Sequence, residues 1–388
     1  MHISHHFAPQ CAREYYFDAQ ATEQVRPEAI AALNMAFREF GNAGATNHGL
    51  GRRTRQALED ARDRIASLVN APPEAVFFTS GATEANNIVL QSLAAPGQRR
   101  AIASAIEHKS VIEPLAYAAG RGAEVVFCPV DPDGLVDPES LRNRVTGASI
   151  VSVMQANNEI GTIQPVAAIR DAVPDALLHV DAAQSFCKVP IDFDRLGLDF
   201  LTLSAHKIGG PQGIGALVVR PSRIADLQPL FRGGAQEAGL RPGTTPVGLV
   251  VAMSAAAEAA MAEREQQAAR LGALRDKMVT AFSRLPGFFV NGSLEQRLAG
   301  NLNCGFDGID ALLLMRRVPH LLFSAGSACT TGNSTNHVLD ALGLPNARQR
   351  ATFRLSLGWA TSDADVDAAI TGIEGAVGHF ASSRQRAV

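Results

Sequence analysis

Cys329 sits in SAGSACTTGN, residues 324–333, among Ser, Ala, Gly and Thr. As a thiolate a cysteine is a strong nucleophile; as a thiol it is a poor one. A cysteine kept for packing would have bulky apolar neighbours, whereas these small residues suit a mobile loop. Three other stretches put polar or reactive residues where strands run out. AVFFTSGATEANN passes from an apolar run through Ser80, Gly81, Ala82 and Thr83 into a helix. The free N–H groups and dipole of a helix start attract a phosphate. ALLHVDAAQS ends its strand on Asp181, with Gln184 three residues on. A buried acid needs a partner, and the cationic ring nitrogen of a cofactor is one. DFLTLSAHKIGGPQGIGALVV places Lys207 between a strand and a glycine-rich turn, beside Ser204 and His206. A lysine held there can form a Schiff base with a carbonyl cofactor, and its two neighbours can bind phosphate. Each fragment alone also reads as something ordinary: an N-capped turn, a helix-capping aspartate, a surface lysine. Together they are the groups that pyridoxal phosphate needs.

These residues require strands that end together. From about residue 15 the chain alternates short apolar runs (AVFFTS, AIASAI, AEVVFCPV, SIVSVMQ, ALLHVDA, DFLTLSA, ALVVR) with amphipathic segments such as RRTRQALEDARDRIASLVN. That alternation predicts an α/β fold, a mainly parallel sheet covered by helices, with ligands beyond the strands' carboxyl ends. After Pro246 the pattern predicts one long helix over 247–285, bent near Gly272, then strands FFVNG, NLNCGF, LLFSA and TFRLSLG. The expected division is a large cofactor domain over 15–260 and a smaller α+β domain over 261–388, packed with the N-terminal segment 1–14.

Composition narrows the class. A net charge of −3 with 19% charged residues gives no case for direct nucleic-acid binding. Five cysteines without paired spacing suggest a reducing, cytoplasmic setting. MHISHHFAPQCARE lacks the apolar core of a signal peptide, and no apolar run is long enough for a membrane span. The histidines at 2, 5 and 6 read as a terminal tail rather than a metal site. Cys128, Cys187 and Cys304 read as buried and inert, and Cys11 as part of the tail.

TSGATEANN, EHKSV, NNEIGTIQP, HVDAAQS, SAHKIGGPQGIGAL, RPGTTP, SAGSACT and FRLSLG span nearly the whole chain. On them the chain resembles the cysteine desulfurases, class V aminotransferase-like enzymes of pyridoxal-phosphate fold type I. The resemblance implies that Lys207 holds the cofactor and shuttles protons. It implies that Asp181 pairs with the ring nitrogen, that Gln184 meets the phenolic oxygen, and that His108 stacks on the ring. By the same likeness Ala82, Thr83, Ser204 and His206 hold the phosphate, and Thr244 completes that site in a partner subunit, making a homodimer. Asn157 and Arg354 bind the substrate carboxylate, with Asn158 and Glu159 shaping the turn; Arg354 suits an anion on chemistry alone. Cys329 then takes sulfur from L-cysteine as a persulfide, helped to ionise by a protonated His108, and passes it to an acceptor protein. That acceptor is an iron–sulfur scaffold, a thiolation protein or a phosphorothioation protein. FGNAGATNHGLG resembles the desulfurases of bacterial DNA phosphorothioation systems. Gln20 receives no role. The competing readings are a selenocysteine lyase or other C–S lyase, and a weakly active sulfur-relay scaffold.

Overall fold

The seven apolar runs of the first half form a single sheet. In the computed structural model, which describes residues 13–94, 99–325 and 336–385, Tyr15–Tyr16 is β1. The sheet strands are β2 (Val76–Thr79), β3 (Arg100–Ser104), β4 (Glu124–Cys128), β5 (Ala148–Met154), β6 (Leu177–Asp181), β7 (Phe200–Ser204) and β8 (Gly215–Val219). Their order is β2-β8-β7-β6-β5-β3-β4. Only β8 opposes the rest, pairing antiparallel with both β2 and β7. Every residue of β2, β7 and β8 is buried. Continuous apolar runs, rather than alternation, are what a sheet covered on both faces requires. The cover includes α1 (Pro27–Glu39), α2 (Gly49–Leu68), α3 (Ala82–Ala94) and α4 (Lys109–Ala119). Leu58, Ile65 and Val250 close one face and Ile88, Leu93 and Leu115 the other.

A second sheet carries the later strands β9 (Phe288–Val290), β10 (Asn301–Phe306), β12 (Ser324–Ala325) and β13 (Thr352–Ser356), in the order β12-β13-β10-β9. It is antiparallel throughout and packs a separate core around Phe282, Phe306 and Phe353. Between its strands lies β11 (Leu321–Leu322), which pairs with β1, and Phe17 is fully buried in this same core. The start of the described chain therefore packs with the core of the small sheet. Residues 1–12 lie outside the described residues.

The expected helix over 247–285 is two helices, Val247–Ala262 and Arg264–Phe282. Their break is at Glu263, not at Gly272. Glu263 takes φ −97° and ψ −4°, and its carboxylate accepts from the buried Arg26 at 3.0 Å. Gly272 lies inside the second helix without interrupting it. The first of the pair joins the core of the large sheet and the second that of the small sheet.

Candidate active site

Five strand ends meet on one side of the large sheet. β2 delivers Ser80 and Gly81, β3 leads to His108, β5 to Asn158, β6 ends on Asp181, and β7 leads to His206 and Lys207. They line a cavity of about 680 Å³. Of the residues expected in the site, Ala82, Thr83, His108, Asp181 and Gln184 line it, as do Ser204, His206, Lys207 and Arg354.

The end of the cavity lined by Ser80, Gly81, Ala82 and Thr83 is built by local backbone geometry. Gly81 has φ +146°, a conformation closed to side-chain-bearing residues, and turns the chain from β2 into α3. Gly215 must also be glycine, because a Cβ there would lie 2.7 Å from the Gly81 Cα. The first N–H groups of α3, at Ala82 and Thr83, have no partner inside the helix and border the cavity. His206 Nδ1 lies 3.2 Å from Thr22 Oγ1, and burial with the nearby Lys207 pushes its imidazole down to about 4, so it is neutral.

Asp181 is buried, and its two oxygens accept from Asn86 Nδ2 at 2.7 Å and Ala183 N at 2.9 Å. No cation pairs with it among the described residues. Gln184 donates to Gln20 O at 3.0 Å, while its Oε1 is buried without a partner. Lys207 Nζ donates to the carbonyls of Gln20 at 2.6 Å and Ala21 at 2.8 Å. Burial, reinforced by Arg354 and Lys188, pushes its amine down to about 8. A buried carboxylate lacking a cation, an orphaned amide oxygen and an easily neutralised amine fit pyridoxal phosphate.

Two residues stand elsewhere. Asn157 is fully buried and does not line the cavity; its Oδ1 accepts from the N–H groups of Glu159 and Ile160, and its Nδ2 donates to Ile106 O. It shapes the turn, and its neighbour Asn158 is the asparagine at the cavity wall, the reverse of the expectation. Thr244 is exposed and outside this cavity. His108 also departs from expectation, since burial holds its imidazole below the ordinary value, with Asp181 opposing and Lys207 reinforcing. That shift disfavours the positive charge expected to help Cys329 ionise. Cys329 itself lies outside the described residues.

Arg354, on β13, reaches across from the small sheet. Its Nη2 donates to Asp18 at 2.7 Å, Nη1 donates to Asn158 O at 2.6 Å, and Nε is buried without a partner. The guanidinium is braced by the protein and keeps donors for an anion. Arg354→Lys removes the fork but keeps the charge. If Arg354 meets the carboxylate of an amino-acid substrate, losing one charged hydrogen bond, about 1.5–3 kcal/mol, is expected to raise KM roughly 10- to 100-fold with a smaller change in kcat. Steady-state kinetics in which kcat alone falls would remove Arg354 from substrate binding.

Sequence reasoning passed over Asn86, Gln20 and Asp18. Asn86 had a signal, lying four residues after Ala82 and so on the same face of α3. Gln20 and Asp18 act across distant chain and left none.

Residues 15–369 match the aminotransferase class-V family, and the chain belongs to it. Within that family it is a cysteine desulfurase by descent. It is 35% identical over 364 residues to the cysteine desulfurase IscS of Rickettsia typhi, covering 92% of this chain and 89% of that one. Its structure matches a NifS-like protein with a TM-score of 0.87 at 32% identity, over 95% of this chain and 99% of that one. DndA from Streptomyces lividans superposes with a TM-score of 0.74 at 37% identity, over 86% and 96% of the two chains. Enzymes of this family depend on pyridoxal phosphate, as the cavity's donor set suggests.

Proposed function

We propose that the chain converts L-cysteine and the Cys329 thiol into L-alanine and a Cys329 persulfide, which it passes to an acceptor protein. The observation that carries this is one cavity holding Lys207, Asp181 and Arg354 together. Bound there, pyridoxal phosphate supplies an electron sink for charge developing at the substrate's α-carbon. Asp181 would hold a positive charge at the ring nitrogen, Gln184 and His108 would hold the ring, and Ala82, Thr83, Ser204 and His206 would hold the phosphate. Arg354, with Asn158 beside it, orients the substrate carboxylate. Lys207 removes the α-proton and returns a proton when alanine forms. The Cys329 thiolate attacks the substrate sulfur, forming an S–S bond as the substrate's C–S bond breaks.

Thr244 faces outward, which suits completion of a partner's phosphate site in a homodimer. Among the described residues the three cysteines are free and buried, which suits a reducing cytoplasm. No helix among the described residues is long and apolar enough to cross a membrane. The likeness to DndA, with the FGNAGATNHGLG stretch, favours an acceptor in DNA phosphorothioation over an iron–sulfur scaffold.

Purified protein given L-cysteine and a thiol reductant is expected to release alanine and sulfide one for one, and to absorb visible light through its cofactor. Colourless protein that releases no alanine would return it to the sulfur-relay scaffold. Faster turnover of selenocysteine than of cysteine would make it a selenocysteine lyase.

A further inference from the structure

His108 lies at the start of α4 and caps it: its Nδ1 accepts from the backbone N–H of Ser110 at 3.1 Å. The same nitrogen lies 2.8 Å from Ser110 Oγ. Ser110 Oγ in turn accepts from Asn86 Nδ2 at 2.8 Å, and Asn86 Nδ2 also donates to Asp181 Oδ2 at 2.7 Å. These contacts admit one assignment of protons. A carboxylate only accepts, so the amide group of Asn86 that faces Asp181 must be its NH₂. That NH₂ supplies a proton to Ser110 Oγ as well; because Nδ1 accepts from the Ser110 backbone N–H it has no proton of its own, so the proton in the Nδ1–Oγ contact is the hydroxyl's. A backbone N–H only donates. His108 Nδ1 therefore receives two donors and carries no proton.

We infer that Asn86 and Ser110 are positioning residues that lock His108 as the Nε2-protonated tautomer, a hydrogen-bond donor to the cavity and not a base. The Nε2–H has no protein acceptor among the described residues, and His108 lines the cavity. It points a donor at whatever lone pair the substrate or cofactor brings. Nε2 cannot take up a proton because it already has one, and Nδ1 is closed by its two donors. Proton removal is left to Lys207, the other titratable group of suitable range in the cavity. The same Asn86 amide orients Asp181, so one buried residue sets both the carboxylate and the imidazole. Asn86 is fully buried, and its Oδ1 has no partner. That is a cost which the two donated bonds offset.

The charged groups facing His108 are Asp181, Lys207, His337 and Lys109. Asp181 favours the imidazolium and the other three oppose it. Each donor into Nδ1 stabilises the neutral ring further, so removing the Ser110 hydroxyl must move the midpoint of His108 upward.

The inference rests on the reading of His108 as an active-site residue, but the test reads the ring itself. Long-range proton–nitrogen NMR spectra of holoenzyme labelled with ¹⁵N-histidine, assigned with His108→Gln, report the tautomer without turnover. Wild-type His108 is expected to show Nε2–H and bare Nδ1 at pH 7.5. Ser110→Ala is expected to raise its midpoint by about one pH unit, the worth of one hydrogen bond. Ser110→Thr is expected to restore it. A wild-type spectrum showing Nδ1–H or an imidazolium at pH 7.5 overturns the inference even if no variant folds. So does an unmoved midpoint in folded Ser110→Ala. If the tautomer is as stated but the protein releases no alanine, the lock stands and the proposed function falls.

Discussion

Lys207→Ala is expected to leave a folded protein that forms no borohydride-stable bond to its cofactor and makes alanine about ten-thousand-fold more slowly. The reason lies in the amine's surroundings. Nζ is held by two backbone carbonyls of the segment Gln20–Ala21, which fixes its position but gives it no anionic partner there. Burial is the largest influence and pushes the amine down to about 8, with the Arg354 and Lys188 charges acting the same way. At pH 7.5 roughly a quarter of such amines are neutral, against about one in a thousand at an ordinary lysine value. Only the neutral amine attacks a carbonyl or accepts a proton. The rate at which apo-protein takes up its cofactor should therefore climb as pH rises through about 8 and then level. Lys207→Arg should not rescue it, since a guanidinium stays charged. Absorbance, borohydride trapping and alanine release check all three. Alanine formation within ten-fold of wild type in Lys207→Ala would assign the proton transfers to another group.

Much of this site was legible because strand ends are local features. Ser80 through Thr83, Asp181, and Ser204 through Lys207 each follow an apolar run directly, and a parallel sheet brings such ends together whatever lies between. Strand positions were legible for the same reason: residues buried on both faces leave continuous apolar runs. The long helix was misread because its break is tertiary. An ion pair from Arg26 to Glu263 and the change from one core to the other set it, while Gly272 was only the conspicuous residue. The exchange of Asn157 and Asn158 has a comparable origin. Two adjacent asparagines are alike in sequence, and only the turn decides which one spends its side chain on backbone N–H groups. Gln20 was silent because it works through its carbonyl, which accepts from both Lys207 and Gln184, a role no residue type advertises. His108 was legible only by resemblance, as a cofactor residue; the structure adds that it caps α4, and its neighbour Ser110 is what makes the cap matter.

Cys329→Ser is expected to keep cofactor absorption and cysteine binding while sulfide release falls at least about 100-fold. The other thiols explain why no substitute exists among the described residues. Cys128, Cys187 and Cys304 are free but 1%, 2% and 0% exposed, and burial pushes each thiol up, away from the thiolate that attack on sulfur requires. Cys304 sits inside β10 and Cys187 against the helix carbonyl of Ala257, so neither faces the cavity. Cys329 differs in where its segment is attached. On one side Ser324 Oγ lies 3.4 Å from Arg354 Nη2; on the other, His337 Nε2 lies 2.9 Å from the carbonyl of Glu107, next to His108. The chain leaves and rejoins the described structure beside the residues proposed to hold the substrate. Turnover per folded molecule should survive Cys128→Ala, Cys187→Ala and Cys304→Ala, with loss of stability only. Undiminished sulfide release from Cys329→Ser, or its loss from folded Cys304→Ala, would move the persulfide to another thiol.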